Sequence, residues 1–316
     1  MSVAMNVATT RFKTLVQREW MEHRIGWLGV MLLPFAIALL ALPFSPPFEA
    51  GKDLREGIDQ LKQMGGLHPA TVAALALWGF STIAVVGLTV LAQLFQVSGL
   101  ARRDAQDRSL EFWMSLPGSH SEQLSATLFS HTLLVMLISV AVGMGTGLVI
   151  ALGAVVKGFG LSGLADVQWG LVVQFLLPGL VRLVAGLPLF VLWLLPVVLV
   201  LMVASAWLKR WGVPVVVLST VLLANLPATR GPVREWLLAL VMRIDGAFFP
   251  DNPEQLREAG VEVGRLSFNE VDQFWQLIGL DLVHQLGQLA SPMFLSVLAV
   301  SAACFAGLVY RRKHHL

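Results

Sequence analysis

Of 316 residues, 56% are hydrophobic and only 13% are charged, with a mean hydropathy of +0.73; a water-soluble domain of this size carries about twice that charged fraction. The formal net charge of +2 says little until it is divided between the two sides of a membrane. The single cysteine, Cys304, sits in an apolar run, which excludes an internal disulfide and cysteine-based zinc spacing.

In chain order, Met1 to Glu22 is polar and amphipathic, and the run after it is too long for the core of a cleavable signal, so it reads as a permanent span. Residues 1–24 are expected to form a basic, tryptophan-bearing helix on the membrane surface. Span one runs from about Ile25 to Phe44 and span two from about Pro69 to Val97. Span three covers about Leu124 to Val156, long enough to imply tilt. The block Trp169 to Trp207 is too long for one ordinary span and holds Pro178, Arg182, Gly186 and Pro188. It divides into an interfacial or re-entrant piece, Val167 to Leu183, and span four, about Ala185 to Leu208. Span five is about Val213 to Pro227 and span six about Ser291 to Tyr310, with a large polar segment, 228–288, between them. The expected fold is an all-α integral membrane protein of six transmembrane helices in one domain, 1–316.

The distribution of charge orients these spans. Arg11, Lys13, Arg18 and Arg24, then Arg102, Arg103 and Arg108, then Lys209 and Arg210, then Arg311, Arg312 and Lys313 all fall in segments on one side. The opposite segments are balanced or acidic, with Glu254, Glu258, Glu262, Glu270, Asp272 and Asp281 in the largest. By the positive-inside rule both termini are cytoplasmic, and so is the charged island 98–123 between spans two and three. Within that island Leu110, Trp113 and Met114 share a helical face. A short amphipathic helix between two spans is built to press against another protein.

Chemistry-bearing patterns are sparse. The chain has no HExxH, no GxSxG and no GxxxxGK[ST] phosphate loop, so no catalytic residue is assigned and ATP binding by that route is excluded. Glu19, Glu22 and His23 alternate with basic residues and read as a solvated helix face rather than a metal site; Asp281 and His284 read the same way. His131, between Ser130 and Thr132, lies well inside an apolar run, where an inter-helix hydrogen bond and a substrate contact are both open. Arg182 is expected to snorkel at the outer interface. Gly143, Gly145 and Gly147 form a small-residue stripe that permits close helix packing.

The island carries a resemblance. Asp107, Arg108, Ser109, Phe112, Ser115, Leu116 and Pro117 match a pattern of the form D-R-[ST]-x-x-F-x-x-S-L-P, and the whole loop resembles the cytoplasmic loop of bacterial ABC-2 type permeases, the membrane subunits of ATP-binding-cassette exporters of the type V class. Arg18, Glu19, Trp20, Glu22 and Arg24 lie in a segment similar to that family's amphipathic elbow helix. Six spans, cytoplasmic termini and a long outer segment before the last span extend the likeness over essentially the whole chain.

The resemblance implies that the loop is a coupling helix seated in a groove of a separate ATPase subunit. Phe112 and Trp113 would be its apolar anchors. Arg102, Arg103, Asp107 and Glu111 would set electrostatic register, with Arg108, Ser109, Leu110, Ser115, Leu116 and Pro117 completing the contact. Two such ATPases imply a second copy of the chain or a related permease, with membrane lipid as the remaining partner and no nucleic acid. No cofactor is expected in this chain, ATP and Mg belonging to the ATPase. The implied location is the bacterial plasma (inner) membrane, multi-pass. An ATP-independent carrier and a non-transport membrane assembly or sensory protein are the alternatives.

Overall fold

A computed structural model describes residues 2–44, 68–106, 119–248 and 271–314. Among these residues the chain is helical and contains no strand, and five helical runs are long and apolar enough to cross a membrane. The expectation of an all-α multi-pass membrane protein holds at that level. In lipid every backbone polar group must be paired within the chain, which favours long unbroken helices.

That pressure explains two departures from the expected boundaries. Helix α1, Ser2–Ala41, joins the expected surface helix and span one into a single element of 40 residues, about 60 Å long. Gly26 and Gly29 cost only about 1 kcal/mol each in a helix interior, too little to break it. Helix α6, Trp169–Leu208, likewise runs 40 residues straight through Pro178, Pro188 and Pro196. The break expected between Leu183 and Ala185 is absent, because one hydrogen bond lost at each proline is cheaper in an apolar setting than two frayed helix ends.

Helix α2 is Pro69–Gln106 and carries the backbone of Arg102 and Arg103 at its end. Helix α3, His120–Phe129, passes through one π-helical turn, Ser130–Leu134, into α4, Val135–Phe159. Gly160, at φ +76, ends α4 in a conformation open to glycine, and the short α5, Gly163–Asp166, leads to α6. At the far end of α6, Lys209 takes φ +52 and a 3-10 turn, Lys209–Trp211, reverses the chain into α7, Gly212–Asn225. With 14 residues, α7 spans about 21 Å, less than the roughly 30 Å of a bilayer core. It forms one continuous apolar run with α6 in the group of five, where a separate fifth span was expected.

The segment expected as wholly outer contains α8, Arg230–Gly246, and α9, Val271–Gln288. Helix α8 packs along the middle of α6: Leu240 shares a cluster with Trp193, and Trp236 Nε1 donates to Ser296 Oγ at 2.9 Å. Helix α10 is Pro292–His314.

The main core lies on α6, where Leu187, Phe190, Leu194, Val198, Leu199 and Met202 are buried against Val86, Met136 and Val140. Helices α2 and α4 pack closely because Gly143 and Gly147 meet Thr82 and Trp78; a Cβ on Gly147 would stand 2.8 Å from the Trp78 carbonyl oxygen. Gly145 faces away from that contact. Trp78 Nε1 then donates to the Met144 carbonyl at 2.9 Å. At one end of the bundle, Lys157 donates to the Leu42 carbonyl and the Gln168 amide donates to Thr71 Oγ1. At the other, Ser130 Oγ donates to the Val16 carbonyl and Arg311 stacks over Trp207 at 5.5 Å.

Candidate functional site

Three places bring polar or open features into the apolar bundle. The first is the junction of α1 with α3 and the π turn. Asp107, Arg108, Ser109, Leu110, Glu111, Phe112, Trp113, Ser115, Leu116 and Pro117 lie outside the described residues. The helix that follows them begins with a capping box: the Glu122 amide donates to Ser119 Oγ at 3.2 Å, and the Ser119 amide to Glu122 Oε2 at 3.1 Å. This pairs two of the N–H groups that a helix start otherwise leaves unbonded.

Helix α1 meets that exit helix at its far end and the π turn that follows. Phe12 and Phe129 meet edge to face with centroids 5.9 Å apart, and Val16 accepts from Ser130. One turn on, Glu19 Oε2 stands 3.5 Å from His131 Nε2, and His23 packs its ring edge to face on His131 at 4.7 Å. Trp27, fully buried, donates its indole N–H to His131 Nδ1 at 3.3 Å. Glu19, His23 and Trp27 fall at helical spacing on one face, while Glu22 and Arg24 are exposed. Arg18 pairs with Glu22 at 3.2 Å and with the other oxygen of Glu19 at 3.6 Å. Trp20 packs beside the buried group of Trp27, Met31, Val85 and Val135.

The π turn puts His131 there. A widened turn departs from ordinary i to i−4 pairing, and Gln93 of α2 donates its side-chain amide to the His131 carbonyl. Gln93 is fully buried. Its signal in the sequence was weak: Gln93 and Gln96 are two amides of the uncharged run Thr71 to Val97, and only burial decides which of them must find a partner in a neighbouring helix. Of the residues read in the sequence as a solvated face, Glu19 and His23 turn inward to meet His131.

The second place is Arg182. It does not snorkel: it is 6% exposed, and its Nε donates to Asp281 Oδ2 at 2.6 Å. Its two terminal nitrogens donate to the Ala247 and Gly246 carbonyls. Those carbonyls end α8, so the guanidinium also meets the negative end of a helix dipole. Gly186, one turn along α6, lies directly against the Ala247 carbonyl, where no Cβ would fit. Asp281, expected to be solvated, is 6% exposed.

The third place is a cavity of about 620 Å³ between α2 and α6, lined among others by Thr82, Val86, Val90, Leu176, Phe190 and Phe248. Its polar edge is already committed. Thr82 Oγ1 donates to the Trp78 carbonyl at 2.9 Å, and Arg182 is engaged as above. The walls offer hydrocarbon to an occupant, a surface suited to apolar chains.

Compared with family models, with curated proteins and with solved structures, the chain matches none.

Proposed function

We propose that this chain is the membrane-spanning permease subunit of an ATP-binding-cassette exporter of the ABC-2 type. It would work as a two-fold assembly with a second copy or a related permease, and with two separate ATPase subunits. The observation that carries this reading is the grip of α1 on the end of α3 and the π turn, through Phe12–Phe129, Val16–Ser130 and Glu19–His131. Helix α3 leaves the loop that bears Asp107, Arg108, Ser109, Phe112, Ser115, Leu116 and Pro117. A push delivered to α3 would therefore pass through the π turn into both α1 and α4.

Further support comes from the basic residues. Val16 meets Ser130, and Trp207 meets Arg311, so the clusters around Arg11–Arg24, Lys209–Arg210 and Arg311–Lys313 lie toward the end at which α2 finishes and α3 begins. Under the positive-inside rule that end is cytoplasmic, where an ATPase would be, in a bacterial plasma membrane. The cavity between α2 and α6 suits a lipid-like or other apolar cargo. An ATP-independent carrier would want a carboxylate able to exchange protons, whereas Asp281 is held by Arg182 and Glu19 lies between Arg18 and His131.

The experiment is the double substitution Phe112→Ala and Trp113→Ala in the full chain expressed with its candidate ATPase. Truncated interface aromatics cost about 2 kcal/mol or more each, so the ATPase should no longer copurify while membrane insertion persists. Unchanged copurification and unchanged ATPase stimulation by a correctly inserted double variant would defeat the reading. Native mass spectrometry of the active complex should show two permease chains; a single one would remove the two-fold arrangement.

A further inference from the structure

We infer that Glu19, His23 and His131 form a binding site for a divalent transition-metal ion, with zinc the best match to the donor set. One ligand atom from each residue lies within 4.8 Å of the others. Two imidazoles and one carboxylate are a donor set used for zinc with an open fourth position.

His131 supplies the observation that points to a ligand. It is 2% exposed, and at Nε2 it meets only the Glu19 carboxylate, beyond ordinary hydrogen-bond length. Glu19 Oε2 stands 3.5 Å from that nitrogen. This is long for a charge-assisted hydrogen bond, which runs about 2.7–2.9 Å. It is close to the roughly 3.3 Å between neighbouring ligands on a tetrahedral ion with bonds of about 2.0–2.1 Å. The second oxygen of Glu19 faces Arg18, leaving Oε2 to serve as a single-oxygen ligand.

His23 is oriented in the manner of a metal ligand. Its Nδ1 lies 3.0 Å from the Glu19 carbonyl, which can only accept, so in the neutral ring the proton sits on Nδ1 and the lone pair on Nε2. A backbone carbonyl holding one imidazole nitrogen while the other binds metal is a common outer-shell arrangement. The opposing feature is Trp27. Its N–H faces His131 Nδ1 at 3.3 Å, and ligation through Nε2 would place the His131 proton on that same Nδ1. Ligation would then turn two buried N–H groups toward each other across that distance, a cost that the bonds to the metal must exceed.

The ion would join α1 to the π turn, fastening the N-terminal helix to the helix that leaves the loop. Binding itself is independent of the transport reading; only a restraint on coupling would rest on it.

The test uses the full chain, purified in detergent without a polyhistidine tag. His314 and His315 are both replaced by Ala, so that the C-terminal pair cannot hold metal. After chelator treatment, zinc chloride is titrated and bound metal is measured by elemental analysis and calorimetry. The expected result is one zinc per chain, with affinity falling more than about tenfold, the lower bound for outer-shell changes, in Glu19→Gln and in His23→Ala. Trp27→Phe, which removes the opposing donor, should bind zinc more tightly. Absence of retained zinc, or equal zinc in parent and Glu19→Gln chains, would overturn the site. That result would leave the Phe112 and Trp113 experiment, and the permease reading, where they stand.

Discussion

Arg182 and His131 are two ionisable groups buried in the same apolar bundle, but they are satisfied to different degrees. Arg182 has a carboxylate on Nε and a carbonyl on each terminal nitrogen. His131 has a donor at Nδ1, a carboxylate at 3.5 Å and no hydrogen bond at Nε2. A fully partnered buried group is a fastening, and disturbing it should disturb the fold. A group with a polar atom left over has capacity for something else, and its loss should cost the fold less.

The largest expected effect follows from Arg182. Replacing it with Ala strands Asp281 and two helix-end carbonyls, and breaking a buried pair in this way costs about 3–5 kcal/mol. Unfolding followed by helical signal in detergent should report it as a large drop in midpoint. The double variant Arg182→Met with Asp281→Leu should recover much of that loss, since an apolar replacement of both partners is often near neutral. If the double variant is no better than the single, the ion pair is not what holds α9 to α6.

Gly186→Val tests the same clasp from its backbone side. The added side chain must displace the Ala247 carbonyl, and overpacking of this kind costs about 1–3 kcal/mol. Faster proteolysis of the chain after α8, with α1 to α4 still protected, is the expected readout. A wild-type cleavage pattern would show that α8 is not seated there.

At the π turn the effects should be smaller than that of Arg182→Ala. Gln93→Leu removes the side-chain donor to the His131 carbonyl, costing about 1–3 kcal/mol if that carbonyl stays unpaired. Hydrogen exchange should rise over residues 128–136 more than elsewhere in α3 and α4, whereas uniform exchange would deny the Gln93 contact a local role. Trp27→Phe, losing one neutral hydrogen bond, should cost about 1 kcal/mol in the metal-free protein. A loss as large as that of Arg182→Ala would erase the contrast between the two clusters.

How far these places were legible differs residue by residue. That α4 could pack closely on a neighbour was readable from Gly143 and Gly147, but not that the neighbour is α2. The join of the surface helix to span one was not, since hydropathy reports where polarity changes and α1 crosses that change without bending. The prolines of α6 misled for the same reason: they mark a local cost, and the environment sets how much a break would cost instead. His131 was visible as an anomaly but not its companions, because Glu19 and His23 sit among arginines in a segment that reads as solvent-facing. The π turn that aims His131 leaves no residue type behind to announce it.

The amino-acid order by itself determined the class of molecule. Long uncharged runs need an apolar medium and helical pairing. Only the tertiary structure decided which polar groups meet. Arg182 and Asp281 are 99 residues apart, and Trp27 and His131 are 104 apart, and at such separations nothing in local periodicity relates one residue to the other. Burial among packed helices made those meetings obligatory, because a charge or amide without water must find a partner wherever in the chain the fold supplies one.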